Sequence, residues 1–202
     1  MSSEVKANKL SPATGTDVTL GDSSDTFTAP SGVTIAIASG ATITNSGTAT
    51  GFGGANTPRW WAVMSADQTG LSSSVITKVE FDTEVVDSDG AYDSTTNYRF
   101  TVPVGAAGQY FVFANIMVGT AQDKFWYGQG RVYLNGSNYM FSQLNMKAGY
   151  GSNTSNSVSG VLDLSEGDYL EAYGWVETIS ATDYGMYGTT ARNSGFGGFK
   201  LI

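Results

Sequence analysis

The nine residues Tyr110-Phe111-Val112-Phe113-Ala114-Asn115-Ile116-Met117-Val118 are apolar at almost every position, on both of the faces that a strand's period of two creates. A strand of that kind needs cover on both sides. It is expected at the centre of a sheet, with one face on a second sheet and the other on a further surface. The run Lys78-Val79-Glu80-Phe81-Asp82-Thr83-Glu84-Val85 is different: strict alternation predicts Val79, Phe81, Thr83 and Val85 inward and the charges in solvent. Further strands are expected over residues 98–102, 130–134 and 169–176. Gly195-Phe196-Gly197-Gly198-Phe199-Lys200-Leu201-Ile202 alternates small and apolar residues, which predicts a last strand inside the sheet.

Turn signals bracket these runs at Ser88-Asp89-Gly90, Pro103-Val104-Gly105, Asn135-Gly136-Ser137 and Glu166-Gly167-Asp168. No 3.6-residue pattern intervenes. With 26 glycines and only 14% charged residues, the expected class is all-β, a sandwich or jelly roll. A chain of 202 residues can bury one sizeable core and carry a smaller appendage.

A formal charge of −8 opposes the phosphate backbone, so no nucleic-acid partner is expected. The chain has no cysteine and no histidine, which removes disulfides, thiolate metal sites, the usual zinc ligand and the usual general base near neutral pH. Met1-Ser2-Ser3-Glu4-Val5-Lys6 lacks an apolar signal-peptide core, and no run approaches the length of a spanning helix. The expectation is a product that is neither Sec-secreted nor inserted in a membrane.

Residues 1–54 differ in texture from 55–202. Ser, Thr, Ala and Gly dominate, and short β-branched triplets recur at Val18-Thr19-Leu20, Val33-Thr34-Ile35 and Ala41-Thr42-Ile43, punctuated by glycines at 32, 40 and 47. One copy of such rungs offers too little apolar surface to offset about 1 to 2 kcal/mol of backbone entropy per residue. Three parallel copies sharing Leu20, Phe27, Ile35 and Ile43 would form a trimeric stalk. A flexible Ser/Thr/Gly linker is the alternative.

In order and spacing, residues 59–202 resemble the jelly-roll heads of the C1q and tumour-necrosis-factor superfamily. The resemblance runs through Val79-Glu80-Phe81-Asp82 to Tyr92-Asp93, then Tyr98-Arg99-Phe100-Thr101-Val102-Pro103 and Gly108-Gln109-Tyr110-Phe111-Val112-Phe113. It continues in Gly160-Val161-Leu162-Asp163-Leu164, Glu166-Gly167-Asp168-Tyr169-Leu170 and the terminal strand. It implies a ten-stranded antiparallel sandwich, a homotrimer, and a C-terminal strand near the middle of a sheet. A Ser/Thr/Gly stalk ahead of such a head, with Ser11 to Ser23 in a recurrent amino-terminal style, resembles the fibres and spikes of tailed bacteriophages. That resemblance implies folding in a reducing bacterial cytoplasm, where the lack of cysteine is expected.

Chemistry-bearing groups are sparse. Asp87-Ser88-Asp89-Gly90 opens like a calcium loop, but Tyr98 stands where the bidentate Glu belongs, so a turn is expected. No cofactor is assigned; a loop Ca²⁺ could draw on Asp67, Asp87, Asp89 or Asp93. Glu80, Asp82 and Glu84 alternate on one strand and could be imagined as a glycosidase pair, yet they read as a solvated face. The better candidates for ligand or receptor contact are aromatics expected in loops: Trp126, Tyr127, Tyr150, Tyr184 and Tyr187. Packing between subunits would use the same rings.

These readings lead to an expected non-enzymatic trimeric virion protein: a short fibre, spike or head-decoration protein. Its amino-terminal region would bind other virion proteins and its head a host surface glycan or protein. A bacterial lectin-like adhesin is the alternative, and a polysaccharide depolymerase ranks behind both.

Overall fold

The computed structural model describes residues 15, 26, 28–29, 31–34, 36–42, 56–146, 151–188 and 193–201. Leu20, Phe27, Ile35 and Ile43, the expected stalk core, and Tyr150 lie outside the described residues. The chain divides into two compact units, residues 1–50 and 51–202. In the first, turns stand at Ser31-Gly32 and Ser39-Gly40, with the Ala41 amide donating to Ala38 O at 3.0 Å. The spacing of turns thus follows the glycines. None of the described residues of this unit is in a strand, and Val33 and Ile37 are exposed.

The second unit is antiparallel β, with thirteen strands among the described residues: β1 (Arg59–Val63), β2 (Gln68–Leu71), β3 (Thr77–Lys78), β4 (Thr83–Asp87), β5 (Tyr92–Asp93), β6 (Arg99–Thr101), β7 (Gly108–Thr120), β8 (Phe125–Leu134), β9 (Ser137–Asn145), β10 (Asn153–Leu164), β11 (Tyr169–Thr178), β12 (Tyr184–Tyr187) and β13 (Gly195–Lys200). The helical residues among those described are one 3-10 turn, Ile179–Ala181. The count exceeds the ten strands implied by resemblance, with β2 and β5 as short strands at the edges of the two sheets.

Two sheets result. In the seven-stranded sheet the order is β2-β12-β7-β13-β1-β4, with β10 on the free edge of β7. In the six-stranded sheet it is β5-β6-β11-β8-β9, with β3 also on β11. The doubly apolar run is β7, and it lies centrally as expected. Its other edge is shared by β13 over Tyr110 to Asn115 and β12 over Met117 to Thr120. β13 is interior too, held between β7 and β1.

Between the sheets lies one core. Tyr110, Val112, Ala114, Ile116 and Val118 of β7 meet Leu170, Ala172 and Val176 of β11, Phe125 and Val132 of β8, and Phe81, Phe100 and Phe196. Trp60 of β1 is buried here and stacks on Phe100 of β6 with ring centroids 3.8 Å apart and planes 5° from parallel. It is a core residue.

The alternating run from Lys78 divides. β3 pairs with β11 in one sheet and β4 with β1 in the other, so residues 79–82 cross between the sheets. Val79 and Phe81 are buried on this crossing. Thr83, expected inward, is exposed, because the chain has by then joined the rim strand of the seven-stranded sheet.

Each of the four expected turns is a turn or bend. Two lock together: Asn135 Nδ2 donates to Asp168 Oδ1 at 2.8 Å and Asn135 Oδ1 accepts the Tyr169 amide at 3.0 Å. Gly136 (φ 76°) and Gly167 (φ 83°) supply the left-handed positions these turns need.

Candidate functional site

The outward face of the seven-stranded sheet is paved with rings. Register places Phe111 and Phe113 of β7, Phe199 of β13, Trp61 of β1 and Val161 of β10 on this side, since their neighbours Val112, Phe196, Trp60, Gly160 and Leu162 face the core. Phe111 and Phe199 lie with centroids 5.6 Å apart. The glycines of β13 make room: Phe113 Cζ would stand 2.7 Å from a carbon on Gly197, and Trp61 Nε1 2.9 Å from one on Gly195. The three phenylalanines are half-buried while Val161 is 56% exposed, a contiguous apolar surface on a single chain.

The outward face of the six-stranded sheet is ringed and polar. β11 presents Tyr169, Glu171, Tyr173, Trp175 and Glu177; β8 presents Tyr127, Gln129, Arg131 and Tyr133; β9 presents Phe141, Gln143 and Asn145. Glu171 is 5% exposed and forms a 2.7 Å ion pair with Lys78, whose Nζ also donates to Asn97 O at 3.2 Å. The Tyr173 hydroxyl donates to Glu171 Oε2 at 3.1 Å. Burial, and then the Glu171 carboxylate, push the Tyr173 phenol above its ordinary range. Arg131 Nε donates to Gln129 Oε1 at 2.7 Å, and Gln129 Nε2 donates onward to Gln143 Oε1.

At one end of the sandwich a cleft of about 520 Å³ is lined by Tyr92, Pro103, Val104, Asp89, Asp93 and Glu166 among others. Its carboxylates are largely committed. Asp93 accepts the amides of Thr96, Thr95 and Asn97 at 2.9 to 3.1 Å and Asn97 Nδ2 at 2.7 Å. The Thr96 amide foremost holds its pKa well below the carboxylate range; burial opposes it, and the Thr95 and Asn97 bonds add to the lowering. Asp87, the first residue of the calcium-like tetrapeptide, accepts the amides of Ala91 and Tyr92 at 3.1 and 3.0 Å, which makes it the lock of a turn. Among the described residues no three acidic groups converge as a metal site would require.

Of the imagined glycosidase pair, Asp82 accepts the Ser65 amide at 2.7 Å and the Ser65 hydroxyl, and Glu84 accepts the Ser94 hydroxyl at 2.6 Å. Burial raises the Asp82 pKa, but these Ser65 bonds and that from Thr83 outweigh it and leave it lowered. A general acid needs the opposite direction.

The aromatics expected in loops stand in strands. Trp126 and Tyr127 open β8 with ring centroids 5.0 Å apart, Trp126 being exposed. Tyr187 faces outward opposite Met117. Tyr184 is buried: its hydroxyl donates to Val75 O at 3.0 Å and lies 3.1 Å from Thr77 Oγ1. The Ile179 amide, donating to Lys124 O at 2.7 Å, joins the segment before β12 to the turn before β8. The structure therefore pairs Trp126 with Tyr127 but turns Tyr184 to the core. Sequence reasoning passed over the Arg131 row, although its signal was there: two alternating strands, 127–133 and 169–175, place aromatic and polar side chains on one parity.

No family model matches the chain, and no curated protein matches it by sequence. Solved structures do match. The globular domain of zebrafish complement 1qA protein is 16% identical with a TM-score of 0.46, over 72% of this chain and 98% of that one. Murine APRIL at pH 5.0 is 14% identical with a TM-score of 0.51, over 71% and 98%, and the same protein at pH 8.0 gives 0.50. The two-sheet unit therefore has an antiparallel jelly-roll fold similar to that of murine APRIL.

Proposed function

We propose that this chain is a non-enzymatic binding module that works as a homotrimer, closed through the ring-paved face of the seven-stranded sheet. One observation carries the reading: Phe111, Phe113, Phe199 and Val161 form an apolar face on the side of the sheet opposite to the core, and Val161 is 56% exposed there. Burying such a face against identical copies would add hydrophobic stabilisation of about 25 cal/mol per Å² of apolar area, and rotational symmetry lets three copies close without an open end. The engaged carboxylates, with the Asp82 pKa lowered, support the non-enzymatic part.

Within that reading we place the protein in a bacteriophage particle as a short fibre, spike or head-decoration protein, its amino-terminal region bound to other virion proteins and its head to a host surface glycan or protein. The Ser/Thr/Gly texture of residues 1–54 and the lack of cysteine support this placement. Three copies of a weak surface site then gain avidity. Multi-angle light scattering tests the assembly: the expected mass is about three times 21.2 kDa, and a stable monomer at micromolar concentration refutes it. Mass spectrometry of purified phage particles tests the location, and absence of the chain from them refutes that.

A further inference from the structure

We infer that the outward face of the six-stranded sheet, centred on Arg131, binds an acidic sugar, a hexuronate-type ring carrying a carboxylate. The inference rests on the reading of this unit as a binding module and names its ligand class. Arg131 stands on the interior strand β8, paired in register with Tyr173 of β11 and Phe141 of β9. Its guanidinium carbon lies 5.9 Å from the centroid of Trp175 and 6.0 Å from that of Phe141. One donor is spent: Nε donates to Gln129 Oε1 at 2.7 Å, and Gln129 is itself held by Gln143. This chain of amides fixes the guanidinium. The four Nη hydrogens have no acceptor among the described residues.

Two carboxylates share the face, and neither pairs with Arg131. Glu171 is committed to Lys78 and Tyr173, and Glu177 lies opposite Tyr127 at the far end of the row. A half-buried, orientationally fixed guanidinium with its fork unused is complementary to a planar carboxylate, which it can grip with two parallel hydrogen bonds. The flanking rings of Trp175 and exposed Phe141 offer flat apolar faces for the C–H face of a pyranose, and the Gln143 amide a partner for hydroxyls. A carboxylate on an extended peptide would use the fork but not the rings.

The test uses the full chain and intrinsic tryptophan fluorescence, since Trp175 lines the site. Tri-galacturonate, its carboxyl-reduced neutral counterpart and tri-glutamate are titrated to about 10 mM, within the range expected of a weak single site. The expected result is saturable quenching by tri-galacturonate, at least about tenfold weaker binding of the other two, and about tenfold loss in Arg131→Lys, which keeps the charge and loses the fork. Arg131→Met should abolish binding; its near-UV circular dichroism reports whether the fold survives. Equal affinity for acidic and neutral sugars, tighter binding of tri-glutamate, no quenching by tri-galacturonate, or an unaffected Arg131→Lys protein overturns the inference. Light scattering on the same sample separates the outcomes: a trimer without uronate binding sinks this inference alone, and a monomer sinks the assembly reading.

Discussion

Phe113 fills the place of a side chain on Gly197: a carbon there would meet its Cζ at 2.7 Å and the Trp60 carbonyl oxygen at 2.8 Å. A ring can swing away, but the backbone oxygen of the neighbouring strand cannot without moving β1 against β13. Gly197→Ala is therefore expected to cost about 1 to 3 kcal/mol, as overpacking does. Denaturant unfolding would read this as a lower midpoint at an unchanged slope, and a wild-type midpoint would contradict it.

The apolar face makes a separate prediction. Val161 is 56% exposed on a single chain, so Val161→Arg should leave the subunit folded, with unchanged near-UV circular dichroism. If copies close over this face, three buried guanidinium groups without partners would be brought together, and their desolvation would dissociate the assembly. Light scattering should then give the subunit mass. A mass that stays at the wild-type multiple would place the interface elsewhere.

Trp60 and Phe100 join the sheets by stacking, one from β1 and one from β6. Truncating either to Ala is expected to cost about 3 to 5 kcal/mol, and a double-mutant cycle should return a coupling of about 0.5 to 1.5 kcal/mol beyond area burial. Trp60 Nε1 is buried without a partner among the described residues, so Trp60→Phe should cost less than its loss of volume suggests. A zero coupling would mean the rings contribute only area.

These relationships show how far the sequence was legible. Period-two patterning located β7 and β13 because their apolar residues fall on both parities or alternate with glycine, and such runs have few other uses. The same patterning read residues 78–85 as one strand. Alternation reports which side chains turn inward, and Val79 and Phe81 turn inward between the sheets, Val79 with one amide bond to Ala172 O at 2.9 Å. Tyr184 was hidden for another reason: a Gly- and Tyr-rich stretch has the composition of a loop, and only pairing with Thr120 makes it a strand facing the core. The Arg131 site was least legible, since it is assembled from β8, β9 and β11 by register, which local sequence does not state.

Lys78 makes a further prediction. It forms a 2.7 Å ion pair with buried Glu171 on a strand in the middle of its sheet, while Arg99, the cross-strand neighbour of Glu171, lies over the Tyr169 ring. Lys78→Met keeps the volume and leaves a buried carboxylate with one tyrosine hydroxyl, which is expected to cost about 3 to 5 kcal/mol. Adding Glu171→Gln should recover most of that loss in thermal melts. A double variant no more stable than the single would show that packing of the Lys78 stem, not its charge, is what matters.

The pH profile follows from which groups titrate differently on folding. With no histidine in the chain, no imidazole transition falls between pH 5 and 8. On the alkaline side, burial raises Tyr92, Tyr110, Tyr173 and Tyr184, with nearby carboxylates adding to the first three and Tyr110 pushed up to about 12. A raised phenol contributes stability that is whole below the unfolded value near 10 and is lost as pH climbs toward the folded one, because the unfolded chain releases its protons first. On the acid side Asp93 and Asp82 are lowered, so their contribution is whole above about pH 4 and is lost as pH falls through their folded values. Melting temperature should therefore be level from about pH 5 to 9.5 and fall on either side. Asp93→Asn should weaken the acid limb and leave the alkaline one intact, while Tyr92, Tyr110, Tyr173 and Tyr184 should form tyrosinate only as the chain unfolds. A melting temperature that steps between pH 5 and 8, or tyrosinate forming in one stage without unfolding, would contradict the burial of Tyr92, Tyr110 and Tyr184 and the hydrogen bond of Tyr173 to Glu171.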